Sequence, residues 1–146
     1  MSSTNKTKIT VEALIDAPVE KVWQLWTLPE HVTKWNSASP DWHTPKAEND
    51  LRPGGKFSSR MEAKDGSMGF DFAGTYTRII PNERIDYAFG DRVAHITFAA
   101  VPDGIDVTVS FDAEQTHSEQ QQREGWQAIL DNFKRYVESG NPESAT

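Results

Sequence analysis

The chain has 146 residues, a formal charge of −7, 36% apolar residues and no cysteine. This length suits one domain with one core, the lack of cysteine excludes disulfides and thiolate sites, and an acidic chain without a basic stripe argues against binding the phosphates of nucleic acid or anionic membranes. Apolar runs too short for a membrane span, and a polar start from Met1 to Lys8, make a cytoplasmic protein the expectation.

From Lys8 to Asp16 the residues alternate, with Ile9, Val11, Ala13 and Ile15 on one side, which predicts a half-buried strand. Pro18 suits a first helical position. Val19, Val22, Trp23 and Trp26 then recur at helical spacing, Pro29 stops that helix, and Glu30–Trp35 predicts a second short one. From Asn36 to Gly55, with Pro40, Pro45 and Pro53, the sequence predicts a long irregular connection of the kind that often carries function. Gly54-Gly55 resembles no phosphate-binding loop and suits a sharp turn into the next strand.

A meander follows. Phe57, Ser59 and Met61 share one face, then Phe70, Phe72, Gly74 and Tyr76, then Ile85, Tyr87 and Phe89. The last two strands turn inward Ala94, Ile96, Phe98 and Ala100, and Ile105, Val107, Val109 and Phe111. Asp65-Gly66, Pro81-Asn82, Gly90-Asp91 and Asp103-Gly104 mark the turns. One wet and one dry face per strand predicts an antiparallel sheet with a single buried face. A long helix closes the chain, with Thr116 and Glu119 at capping-box spacing and Gly140 then Pro142 at its end. Trp126, Ile129, Leu130, Phe133 and Val137 form its apolar face. Gly125 lies within it at about 1 kcal/mol relative to alanine, which close approach of another element or room for a ligand would explain. The expectation is an α+β domain over residues 1–146, with 1–7 and 139–146 flexible. Six antiparallel strands, with two short helices between the first and second, wrap around the C-terminal helix, the one element with enough apolar length to cover the sheet.

Several segments carry a family resemblance. Asp16-Ala17-Pro18-Val19-Glu20-Lys21-Val22-Trp23 resembles the opening helix signature of the START-like superfamily, also called SRPBCC or helix-grip proteins. Leu51-Arg52-Pro53-Gly54-Gly55-Lys56-Phe57, Gly74-Thr75-Tyr76, Pro81-Asn82-Glu83-Arg84-Ile85 and Glu124-Gly125-Trp126 resemble the branch named after the C-terminal domain of the activators of heat-shock-protein-90 ATPase. The resemblance runs from Lys8 to Glu138 and implies a helix-grip fold with a ligand cavity between the sheet and the long helix. Superfamily members hold lipids, sterols, polyketides or plant hormones there, and a few are enzymes. The name-giving activators add an N-terminal domain for which this chain has no room, so chaperone contact is not expected.

Binding of a small hydrophobic or aromatic molecule, such as a lipid or a polyketide-like compound, is the leading functional expectation. Trp35, Trp42, Phe57, Met61, Phe70, Phe72, Tyr76, Phe98, Phe111, Trp126 and Leu130 are the candidate ligand contacts. For any single one of these aromatics core filling is the favoured reading; Trp42, on an irregular segment, is the exception, placed to act as a lid. The alternatives are an acid–base cyclase, dehydratase or hydrolase, for which only His43, Tyr76 and Asp41 offer themselves, and a chaperone-interaction module. His31, His95 and His117 are scattered, so no metal site and no cofactor is expected. Arg60, Glu62 and Asp71 should pair at the surface. Homodimerisation is left open.

Overall fold

Strict alternation makes β1 (Lys8–Ile15), whose Ile9, Val11, Ala13 and Ile15 are buried between exposed neighbours. The computed structural model describes residues 7–37, 41–114 and 118–139. The expected flexible termini, apart from Thr7 and Ser139, lie outside the described residues. Pro18 ends the extended stretch as the N-cap of α1 (Val19–Thr27), one position earlier than its sequence suggested. Its carbonyl accepts the first helical bonds from the Lys21 and Val22 amides, each at 3.1 Å. Leu28 separates α1 from α2 (Pro29–Trp35), where proline does sit at the helix start.

Six further strands follow: β2 (Trp42–Asn49), β3 (Lys56–Ala63), β4 (Gly69–Ile80), β5 (Arg84–Phe89), β6 (Arg92–Val101) and β7 (Gly104–Asp112). All pair antiparallel in the order β1-β7-β6-β5-β4-β3-β2. The sheet therefore has seven strands rather than six. The additional one, β2, lies in the stretch read as irregular. It is an edge strand with Pro45 at a register shift between His43 and Lys46, and its burial does not alternate, so its sequence lacks the period-two signal. The other strands bury the expected faces, except that Phe70 near the start of β4 and Ala100 near the end of β6 are exposed. The expected turns are present, with Asn82, Gly66, Gly90 and Gly104 all at positive φ.

The last element, α3 (Glu119–Glu138), starts on a capping box formed by Ser118 and Gln121. The Gln121 amide donates to Ser118 Oγ at 3.1 Å, and the Ser118 amide donates to Gln121 Oε1 at 3.3 Å. Thr116, expected as the cap, lies outside the described residues, as do Gly140 and Pro142. Leu130, Phe133 and Val137 are buried, while Trp126 and Ile129 are half-buried. The core sits between α3 and the β1–β7–β6 side of the sheet, with Phe133 wedged edge-on between Trp26 at 4.9 Å and Trp35 at 4.8 Å. No described helix is long and apolar enough to cross a membrane.

Two glycine positions bring β3 and β4 together. Gly54, at φ +84°, turns the chain so that its amide donates to the Tyr76 carbonyl, while the Tyr76 amide donates back to Gly55 O. Gly74 leaves space for the Phe57 ring: a Cβ there would stand 2.8 Å from two ring carbons and 2.6 Å from Ala88 O. Gly74→Ala is therefore expected to destabilise the fold by about 1–3 kcal/mol. In urea this would appear as a lower unfolding midpoint at an unchanged slope. An unmoved midpoint would mean that the Phe57 ring and the Ala88 carbonyl both give way at no cost.

Candidate functional site

Between the concave sheet face and α3 lies a cavity of about 480 Å³, within the range of small-molecule sites. Trp26 of α1 and Pro29, Val32 and Trp35 of α2 close one end. The sheet contributes Trp42 and Asn49 from β2, Phe57, Ser59 and Met61 from β3, Phe70, Phe72 and Tyr76 from β4, and Ile85 and Tyr87 from β5. Gly125, Trp126, Ile129 and Leu130 of α3 form the roof. A Cβ built on Gly125 would meet nothing within 4 Å. Of the two reasons the sequence suggested for this glycine, close approach of another element is thus removed.

The wall is mostly aromatic. Phe57 is its hub on the sheet, with ring centroids 4.8 Å from Tyr87, 5.1 Å from Tyr76 and 5.8 Å from Phe72. Trp126 stacks on Phe111 at 3.8 Å with the planes 11° apart. At the other end Trp42 and Phe70 face each other at 6.0 Å, and Phe70 is 48% exposed, so the cavity reaches the surface there. Beside it stands Met68, 65% exposed. A second pocket shares Trp42 and is lined by Asp41, Lys64 and Met68 among others. Trp42 thus borders both.

Polar groups on the wall are few. The Tyr76 hydroxyl donates to Asn49 Oδ1 at 2.6 Å, and Asn49 Nδ2 donates to the Thr27 carbonyl. Burial raises the phenols of Tyr76 and Tyr87 well above their ordinary value. Glu48, the one charged residue lining the cavity among the described residues, is exposed and pairs with Lys46 at 3.2 Å.

Of the sequence-derived contacts, Trp35, Trp42, Phe57, Met61, Phe70, Phe72, Tyr76, Trp126 and Leu130 line the cavity. Phe98 and Phe111 do not: both are buried, Phe98 against Trp23 and Trp26, and Phe111 behind Trp126. The three acid–base candidates are not brought together. His43 is registered opposite Glu62 with their side chains 3.9 Å apart, and Asp41 is exposed, its carbonyl accepting from the Lys64 amide. Arg60 pairs with Glu62 at 2.9 Å and with Asp71 at 3.5 Å, at the surface as expected.

His95 has a carboxylate partner that the sequence did not reveal, Asp86 Oδ1 at 2.8 Å from its Nδ1. Burial works to raise the Asp86 carboxyl, but bonds from Arg84 and His95 outweigh it and hold the group below its ordinary range. This cluster lies outside the cavity lining. Among wall residues, Trp26, Asn49 and Tyr87 were missed. Tyr87 was legible, since it alternates inward with Ile85 and Phe89, whereas Asn49 depended on the unrecognised β2.

A sequence model of the family described as Activator of Hsp90 ATPase homolog 1-like protein matches residues 16–138. No curated protein matches the chain. Among solved structures, the chain is 48% identical to an AHSA1-like protein from Aeromonas hydrophila, over 92% of this chain and 94% of that one, with a TM-score of 0.87. It is also 48% identical to a protein from Cytophaga hutchinsonii, over 91% and 93%, with a TM-score of 0.79. A Nitrosomonas europaea protein at 23% identity, over 95% and 97%, shares the fold with a TM-score of 0.82.

The two buried phenols set an alkaline limit. Folding raises both above the ordinary value of 10.0, so above that pH the unfolded chain releases protons that the folded chain retains. Their contribution is complete below pH 10 and declines as pH rises beyond it. Tyrosinate absorbance from Tyr76 and Tyr87 is expected only together with loss of the native circular dichroism signal. Ionisation of all three tyrosines near pH 10 with the fold intact would contradict their burial.

Proposed function

The chain belongs to the Activator of Hsp90 ATPase homolog 1-like family, within the START-like (SRPBCC) helix-grip superfamily, and from its site we propose that it binds a small hydrophobic or aromatic molecule in the cavity beneath α3. The observation that carries this reading is an aromatic-walled space of about 480 Å³ kept open by a helical glycine with no packing partner. Gly125 lowers helix stability and buries nothing in return, and its missing side chain faces the cavity.

Binding is favoured over acid–base catalysis because Tyr76 alone of the catalytic candidates lines the cavity. Its proton is held by Asn49, and its phenol is pushed away from neutrality. Trp42, at the surface end beside exposed Phe70, acts in this reading as the lid over the entrance. In this reading the protein works in the cytoplasm, and its charge of −7 without a basic stripe disfavours nucleic acid and anionic membranes as partners. The reading concerns the cavity, and chaperone activation is not part of it.

Native mass spectrometry tests this on protein purified from its source organism without detergent or organic solvent. A reproducible extra mass, released on denaturation, is the expected result. Gly125→Leu, which fills the space under α3, should remove that mass while the protein stays folded. Gly125→Ala should raise stability by about 1 kcal/mol, because the new methyl group has room and helix propensity improves. Retention of the full bound mass by a folded Gly125→Leu variant would place the ligand elsewhere.

A further inference from the structure

Two hydroxyls of the cavity wall are buried without a protein partner. Tyr87 is 9% exposed and Ser59 is 6% exposed, and both line the cavity. Among the described residues none bonds to either hydroxyl. The contrast with Tyr76, registered directly opposite Tyr87 on the neighbouring strand, is direct: its proton is used on Asn49, which is itself anchored to the Thr27 carbonyl. Buried polar groups in native proteins are almost always bonded, and an unbonded one lowers stability.

Packing does not account for the Tyr87 hydroxyl. The ring is held by Phe57 at 4.8 Å and Phe89 at 5.5 Å, with Phe72 beyond at 6.3 Å. A phenylalanine would keep all of these contacts. The oxygen adds only a donor on the surface of an apolar cavity. Ser59 stands one step along the inward face of β3 from Phe57 and supplies a smaller hydroxyl on the same wall.

The wall also restricts the charge of what it can receive. Among the described residues no lysine, arginine or histidine lines the cavity, and the single carboxylate there is exposed Glu48. An anionic headgroup drawn inside would lose its hydration with no cation to replace it. A neutral oxygen needs only a hydrogen bond. From these observations, and resting on the binding reading above, we propose that the ligand is a neutral, largely aromatic or apolar molecule carrying an oxygen acceptor of the carbonyl, ether or hydroxyl kind, seated against the Tyr87 hydroxyl with Ser59 as a second polar contact.

Three probes with the same two-ring body test this: benzophenone, with a neutral carbonyl; diphenylmethane, with no acceptor; and diphenylacetate, with a carboxylate. Each is titrated calorimetrically into the full-length protein and into Tyr87→Phe. Benzophenone affinity should fall roughly three- to tenfold in the variant, the range for one neutral hydrogen bond, while diphenylmethane affinity holds. Diphenylacetate should bind the wild type more weakly than benzophenone. The carbonyl stretch of bound benzophenone gives a readout that needs no variant: it should shift to lower frequency than in hydrocarbon solvent, and the shift should vanish in Tyr87→Phe.

An unshifted stretch in the wild type overturns the proposal, as does unchanged benzophenone affinity in the variant. Diphenylacetate binding as tightly as the ketone also overturns it. If these results come with firm binding of diphenylmethane, the cavity reading stands and only the acceptor assignment falls. If none of the three probes binds, the cavity reading fails and the proposal falls with it.

Discussion

The cavity depends on where α3 is held. Side chains along the helix attach it to the edge strand β1: Gln127 Nε2 donates to the Glu12 carbonyl at 3.0 Å, Lys134 Nζ to the Leu14 carbonyl at 2.6 Å, and Glu138 accepts from the Asp16 amide at 2.9 Å. An edge strand leaves backbone groups unpaired, and here the helix covers them. Trp126 adds a flat stack on Phe111 of β7. The helix is thereby fixed over the β1–β7 side of the sheet, and the concave face of β3, β4 and β5 is left without a helix directly against it.

That displacement determines what fills the other half. Side chains on β3–β5 must span the gap, which explains why Phe57, Phe72, Tyr76 and Tyr87 lean on one another, with Phe72 also reaching Trp126 of α3 edge-on at 6.2 Å. Close packing here would require Phe57 to stand away from the sheet. Gly74 lets it lie across β4, and this keeps the floor of the cavity low. On the roof, beside Trp126, Ile129 and Leu130, Gly125 brings no side chain into the space. Closure at the end comes from α1 and α2, whose Trp26 and Trp35 are locked by Phe133, with Trp35 Nε1 also bonded to the Leu25 carbonyl at 2.8 Å.

The sequence carried the parts of this arrangement that follow from periodicity. Alternation located six strands and their buried faces, because a half-buried strand must alternate. It did not locate β2, whose edge position, proline and bulge remove the signal. The helix start was misplaced onto Thr116 because Ser118 with Gln121 satisfies the same spacing rule two residues later. For the site, period two states that a residue faces inward but not which part of the inner face the helix covers. Phe98 and Phe111 therefore looked equivalent to Phe57 and Phe72, although the lateral position of α3 puts the first pair in the core and the second on a cavity wall. Tyr87 was hidden for the same reason: inwardness was legible, and the fate of its hydroxyl was not.

The two halves of the sheet thus do different physical work. Ile9, Val11, Ile96, Val107 and Phe111 pack with Phe133 and Val137 into the closed half, where nearly all side chains are excluded from water. Close packing there supplies the stability of the fold. The open half forgoes that close packing, and its Tyr87 and Ser59 hydroxyls bond to none of the described residues. A marginally stable domain keeps such features only where the remaining core tolerates them. With apolar area giving affinity and only a few oxygens available for discrimination, selectivity in this cavity rests on shape and on whether the Tyr87 hydroxyl finds an acceptor. A ligand that carries one gains that bond and a ligand that lacks one does not, and this difference is what the site discriminates by.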